Sequence, residues 1–473
     1  MKVMKKGKTR KIIAFLLAAV MVLAMCIPAM AADTYTITVN NAKNGETYTA
    51  YKIFDASYAE NDNAVSYTAN GNIVNLIEGK PGAEGLTFTQ IGTTGEYVVT
   101  VDKAFNRTKA EEFAKLLDSV KDRLPESAKV AEVTADADGE AKITVPSKGY
   151  YFVDTTLGSL CALDTAKNVT VYEKNTIPSE EKTVSDTENG KYGSDANAQI
   201  GDTVYYQIQV KDSKGTDKAI TVHDTMSAGL TLNKNSFTVT KGDQAVPPTD
   251  YSVKTTGLKD GCTFEVTLNA DYVKTLNEND VVVIKYSATL NEKALAGKDE
   301  TNRSHLTYSN QTTTESTPKV HTYKFQVNKY DGADSSKSPL AGAKFELLKG
   351  GKLVKLVKAK DKDTEYRVAN GNESDAVDEF VTVASGNITI KGVDLDEGYS
   401  IVETEAPAGY NKLTGAVSIT VNKDNSLIQP VENNKGTALP STGGRGTRIF
   451  YLVGIICVAG AGIVLVSRRR MSR

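Results

Sequence analysis

Lys329 falls on the same strand parity as Phe325 and Val327, Glu403 on that of Tyr399 and Ile401, and Asn433 on that of Val431. A second set follows the same pattern. Asp224 alternates with Ile220 and Val222, Asn310 with Leu306 and Tyr308, and Lys182 with Val184. Side chains two residues apart line one face of a sheet, so these polar groups read as pointing into apolar cores. Burial disfavours charge; it lowers a lysine's pKa and raises a carboxyl's. A neutral amine is a nucleophile, an amide offers an electrophilic carbon, and a protonated acid polarises the carbonyl and moves protons. A paired buried ion would satisfy the same parity, whereas a surface position would not. Lys174 differs: it shares the outward parity of Thr170 and Tyr172, opposite Val169 and Val171, so its amine is accessible to another molecule.

Other chemistries leave no trace. The three histidines, His223, His305 and His321, lack ligand spacing, so no metal site is legible. There is no G-x-S-x-G, phosphate loop or Cys–His arrangement, and no cofactor is expected. The stretch from Asp136 to Gly139 lacks most of a calcium loop and reads as a turn.

The elements that must hold these groups are strands. Tyr35, Ile37 and Val39 share one face, as do Val204, Tyr206, Ile208 and Val210, with Gly, Asn and Asp turns between such runs. A mainly β chain of tandem Ig-like β-sandwich domains is expected. One amphipathic helix interrupts the pattern: Phe113, Leu116, Leu117, Val120 and Leu124 keep helical spacing. Thr108 and Glu111 suggest its capping box and Pro125 its end. Polar linkers at 175–179 and 311–318 divide the body into domains 32–175, 176–320 and 321–436.

Both ends carry addresses. Six basic residues precede an apolar stretch from Ile12 to about Met30, with Ala29-Met30-Ala31 as a small-x-small cleavage site, so residues 1–31 read as a signal peptide. Residues 437–473 contain Leu439-Pro440-Ser441-Thr442-Gly443, an apolar run at 449–466, and a tail bearing Arg468, Arg469, Arg470 and Arg473. Eighteen apolar or small residues as a helix roughly span a ~30 Å hydrocarbon core, and the arginines hold the tail on the cytoplasmic side. The ensemble resembles the cell-wall sorting signal of Gram-positive surface proteins, in which a sortase transpeptidase cleaves between threonine and glycine, here Thr442 and Gly443. Residues 32–442 would then hold 44 Lys+Arg against 58 Asp+Glu, near −14, which disfavours nucleic-acid binding. Within them only Cys161 and Cys262 remain, and both read as buried apolar side chains rather than a disulfide.

The chain resembles a sortase-assembled backbone pilin along nearly its whole length. The segments that carry the likeness are Tyr48-Thr49-Ala50-Tyr51-Lys52-Ile53-Phe54, His223-Asp224-Thr225-Met226, Leu306-Thr307-Tyr308-Ser309-Asn310 and Leu340-Ala341-Gly342-Ala343-Lys344-Phe345. The most specific is Tyr399 to Tyr410, which is similar to the family's E-box. The resemblance implies collagen-adhesin B-type domains and head-to-tail polymerisation, in which a lysine amine attacks the acyl-threonine of another subunit. The matching lysine is Lys174, with Glu173 where the family has proline. The resemblance also implies internal Lys–Asn isopeptide bonds, here Lys182–Asn310 promoted by Asp224 and Lys329–Asn433 promoted by Glu403. The implied partners are sortase, other copies of the chain, minor pilins, peptidoglycan and host surface ligands. A wall-anchored monomeric adhesin, or a minor tip or basal pilin, shares the sorting signal and domain types but needs no polymerising lysine.

Overall fold

A computed structural model describes residues 34–59, 64–165, 167–294, 296–371, 373–395, 398–437 and 445–471. The expected signal peptide and the pentapeptide 439–443, Thr442 included, lie outside the described residues. The architecture is mostly β, as the period-two runs require, and it separates into two compact units. Unit one takes the chain to Ala198 with Asp202–Ala294 and Lys298–His321; unit two takes Gln199–Gly201, Leu295–Gly297 and everything from Thr322.

Unit one contains two sets of strands. No strand of residues 35–172 pairs with one of residues 179–321 among the described residues. In the first set, strand Tyr35–Ala42 runs between Gly139–Val145, antiparallel, and Val169–Tyr172, parallel. A seven-stranded sheet is built around Thr47–Tyr58 and Gly149–Thr155. The amphipathic helix, Arg107–Val120, buries Phe113, Leu117 and Val120 against Ile53, Phe54 and Phe152. Its cap is not the Thr108–Glu111 pair. Asn106 holds extended backbone angles and its side chain accepts the amide of Lys109 at 3.1 Å, which places Thr108 already inside the first turn. The chain then tightens into a 3₁₀ turn, Lys121–Arg123, so Leu124 packs from outside the helix.

The second set forms a sandwich of a six-stranded and a seven-stranded sheet. Ser179–Ser185, Thr203–Lys211 and Val281–Leu290 adjoin in one sheet; Ile220–Met226 lies between Phe264–Leu268 and Glu300–Tyr308 in the other. Val204, Tyr206, Ile208, Ile220, Val222 and Phe264 are fully enclosed between them.

The two sets are joined through a buried acid. Glu46 is 0 % exposed. Its carboxylate accepts from the hydroxyls of Thr156 (2.6 Å) and Ser309 (3.1 Å), the amide N–H of Asn310 (3.2 Å) and the side-chain amide of Gln311 (2.9 Å). Gly158 approaches the same junction so closely that a Cβ there would stand 2.2 Å from the carbonyl oxygen of Gly215.

In unit two, strand Tyr323–Asp331 lies between Asn387–Val393, antiparallel, and Ile428–Asn433, parallel. A five-stranded sheet containing Lys344–Lys349 and Tyr399–Glu405 belongs to the same unit. The last helix, Arg445–Met471, contains a stretch, Ile449–Met471, long and apolar enough to cross a membrane. Arg468, Arg469 and Arg470 occupy its last turn.

Candidate cross-linking clusters and the exposed lysine

Tyr323–Asp331 alternates buried and half-buried residues without interruption, and Lys329 takes an inward position at 0 % exposure. Parallel register sets Lys329 beside Val431 and Asp331 beside Asn433, so Lys329 and Asn433 are near neighbours along the same strand pair. Glu403 arrives from strand Tyr399–Glu405, also inward. Its Oε1 stands 3.5 Å from Lys329 Nζ, while its Oε2 accepts Asn433 Nδ2 at 2.9 Å and the Leu413 amide at 2.7 Å. Asn433 Nδ2 also donates to the Asn411 carbonyl at 2.6 Å. Lys329 Nζ, Glu403 Oε1 and Asn433 Oδ1 make no hydrogen bond. The Phe345 ring lies 5.7 Å from the ammonium position, and burial pulls the Lys329 pKa down.

This arrangement sets one carboxyl group beside both an amine held toward its neutral form and an amide. The carboxyl touches the amide on its nitrogen, the atom that leaves as ammonia when an amine displaces it.

The second cluster assembles between the sheets of the second strand set. Lys182 and Asp224 have no exposed side-chain surface, and Lys182 Nζ donates to Asp224 Oδ2. Tyr286 donates its hydroxyl to the same oxygen at 2.5 Å, and Asn302 Nδ2 donates to Tyr286 Oη at 3.0 Å. The rings of Tyr206 and Tyr286 stack at 5.4 Å and stand 5.3 and 5.7 Å from the Lys182 nitrogen. Desolvation pushes Lys182 down to about 8 and pushes Asp224 up, so both shifts favour the neutral pair.

Asn310 does not join this cluster. Strand Glu300–Tyr308 ends before it; Ser309 takes φ +52 and the chain doubles back, pairing Tyr308 with Gln311. The inward parity therefore stops at Tyr308, and Asn310 is exposed, with its Nδ2 on the Gly45 carbonyl at 3.1 Å. The buried asparagine is Asn302, 0 % exposed and on the same strand face as Ser304, Leu306 and Tyr308. Parity alone admits Asn302 as readily as Asn310. The separating signal is the turn at 309–310, which the sequence marks only weakly.

Lys174 is exposed, two residues past strand Val169–Tyr172. Glu173 turns the other way and is buried. Its backbone N–H donates to the Asn40 carbonyl at 2.9 Å, and its Oε1 accepts the amides of Lys174 (2.9 Å) and Asn175 (2.8 Å). The hydroxyls of Thr155 and Tyr48 face the same carboxyl, and burial raises its pKa. Where a proline would stiffen the backbone through its ring, Glu173 fixes it through hydrogen bonds. Cys262 is only half-buried, at a turn before strand Phe264–Leu268, and not in the core as its type suggests.

Two family profiles match the C-terminal part. Residues 323–435 match the SpaA prealbumin-like fold domain, and residues 431–472 match the LPXTG cell wall anchor motif. The trypsin-resistant surface T6 protein of Streptococcus pyogenes serotype M6 is 25% identical over 454 residues, covering 88% of this chain and 77% of that protein. Among solved structures, the T6 backbone pilin of serotype M6 S. pyogenes matches at TM-score 0.45 and 20% identity, over 82% of this chain and 80% of that one. The full-length RrgB pilus protein of Streptococcus pneumoniae matches at TM-score 0.47 and 15% identity, over 86% of this chain and 99% of that one.

Proposed function

We propose that this chain, a cell-wall-anchored surface protein similar to Gram-positive backbone pilins and a structural subunit rather than an enzyme, is the repeating shaft subunit of a covalent pilus. Its three domains are residues 32–175, 176–320 and 321–436. A sortase takes the Thr442 carbonyl as an acyl-enzyme and releases the segment from Gly443. The Lys174 amine of another copy attacks that carbonyl, an amide forms, and the sortase nucleophile leaves. Joining one copy's Lys174 to another's Thr442 is heterologous and does not close, so it gives filaments.

Two internal bonds reinforce the subunit in this reading. Lys329 Nζ attacks the side-chain amide carbon of Asn433; the new C–N bond forms as the old one breaks. Glu403 carries the amine proton to the departing nitrogen, which leaves as ammonia. Lys182 does the same to Asn302 with Asp224 as the acid, in place of the Asn310 expected from parity. The observation that carries the proposal is the enclosure of Lys329, Glu403 and Asn433 with an amine that lacks a hydrogen-bond acceptor. A buried amine left in that state costs several kcal/mol or so unless it is neutral or covalently used.

The test is a denaturing gel of wall extract from the producing bacterium beside a Lys174→Ala strain. A boiling-resistant ladder that collapses to monomer in the variant supports the shaft reading. Monomer in both strains overturns it in favour of a singly anchored adhesin or a basal subunit.

A further inference from the structure

The three histidines have no ligand spacing along the chain, yet strand pairing gives one of them a ligand set. His223 sits on strand Ile220–Met226, on the face opposite the buried Asp224, and is directly paired with Glu265 on the antiparallel neighbour. The turn leading into that neighbour carries Asp260 and Cys262. It is fastened down: the Thr263 amide donates to the Asp224 carbonyl at 2.5 Å, and Thr263 Oγ1 accepts the Met226 amide at 2.9 Å. One ligand atom from each of His223, Asp260, Cys262 and Glu265 lies within 4.8 Å of every other. His223 Nδ1 is 2.7 Å from Asp260 Oδ2 and 3.6 Å from Glu265 Oε1.

We propose that His223, Asp260, Cys262 and Glu265 form a binding site for one zinc-type divalent cation on the outer face of the second domain. Four-coordinate zinc bonds of about 2.0–2.3 Å put neighbouring ligand atoms roughly 3.3–3.8 Å apart. The two His223 contacts lie below and within that spacing, and the widest pair, no more than 4.8 Å apart, draws in by about 1 Å to share an ion. A thiolate with an imidazole selects zinc-type ions over calcium or magnesium, which prefer oxygen alone.

The surroundings fit a ligating histidine. His223 Nε2 lies 3.0 Å from Thr307 Oγ1, so a proton on Nε2 leaves Nδ1 with a lone pair aimed at the acids and the thiol. His305 stacks on His223 with ring centroids 5.0 Å apart and planes 8° apart, fixing the ring's plane. Half-enclosure favours retention of a cation: the side chains of His223 and Glu265 are 14% and 18% exposed. A bound ion would tie the Asp260–Cys262 turn to two strands of the sheet in a domain that lacks a disulfide among its described residues.

Full-length chain purified in detergent, stripped with chelator and reduced, is titrated with Co²⁺ and then Zn²⁺. The site requires one equivalent of Co²⁺ with a thiolate-to-cobalt charge-transfer band in the near ultraviolet, displaced by Zn²⁺. Cys262→Ser abolishes the band, and His223→Gln weakens binding by about tenfold or more. Trypsin resistance of both variants, matched to the parent, shows that they fold. Zn²⁺ raises the parent's melting temperature and leaves that of Cys262→Ser where it was. Absence of the band in the parent, or its survival in Cys262→Ser, overturns the proposal; survival would assign the metal to another thiol.

Discussion

Lys329 and Glu403 face each other with 3.5 Å between Nζ and Oε1, both side chains fully enclosed and neither of these two atoms hydrogen-bonded. An ion pair that remained an ion pair would gain from closer contact and more donors. The spacing instead leaves both atoms available, beside an amide already held by the other carboxyl oxygen.

Glu403→Gln removes the proton carrier while keeping the volume. The intact-protein mass then rises by about one ammonia relative to the parent, after allowing for the substitution itself. Stability to denaturant falls by roughly 4–5 kcal/mol, by analogy with a disulfide closing a loop of about 100 residues. Mass spectrometry and urea melts read both; an unchanged ammonia count contradicts the role given to Glu403.

Asn302 and Asn310 separate cleanly. Asn302→Ala leaves Lys182 free, and the tryptic map shows an unmodified Lys182 peptide in place of a branched one. Asn310→Ala retains the branched peptide. The reverse result would restore the parity-based assignment.

The uncross-linked Asn302→Ala chain has a distinctive pH response. Its Lys182 is held at about 8 by burial, below the ordinary lysine value of 10.5. Between these values the unfolded chain binds the proton and the folded chain does not, so stability rises as pH increases from about 8 to 10.5. The parent, with Lys182 in an amide, lacks this rise, and so does Lys182→Met. Urea midpoints across that window compare the three; an equal rise in the parent shows that Lys182 still titrates.

Glu173→Ala frees the amides of Lys174 and Asn175 without touching the lysine. Transfer from a sortase acyl-enzyme slows by roughly 5- to 30-fold, about 1–2 kcal/mol for two lost hydrogen bonds that position the backbone. Glu173→Gln, which keeps an acceptor oxygen, recovers most of the rate. Equal rates for all three chains, measured with purified sortase, reduce Glu173 to a core residue.

Glu46→Ala removes the acceptor of the Asn310 N–H and the Thr156 hydroxyl at the junction within unit one, and leaves the Gln311 amide and the Ser309 hydroxyl only the Asn44 and Thr156 carbonyls. Protease cleavage within residues 173–179 accelerates while the melting of unit two is unchanged. Unaltered cleavage there shows that Glu46 does not hold the junction.

Strands and inward lysines were legible because a half-buried sheet imposes period two on every residue it contains. Lys329 and Glu403 therefore stand out in Phe325-x-Val327-x-Lys329 and Ile401-x-Glu403. What parity cannot say is where a strand stops. Asn310 continues the inward set by count, but Ser309 adopts a left-handed conformation that nothing but its own turn requires. Glu173 was visible only as a departure from a motif, since a buried acid's partners are backbone amides with no sequence signature. The His223 cluster was hidden for a different reason. Its members are joined by strand register across about 40 residues, and register between strands is set by packing, not local spacing.

The parallel pairing of Tyr323–Asp331 with Ile428–Asn433 makes the first and last strands of unit two a lap joint. Pulled from opposite ends, parallel strands slide past one another and load all their ladder bonds together, where an antiparallel pair would peel open one bond at a time. A bond between Lys329 and Asn433 would rivet that joint near its far end. The roughly 350 Å of extended chain folded between the two residues could then never be drawn out by tension.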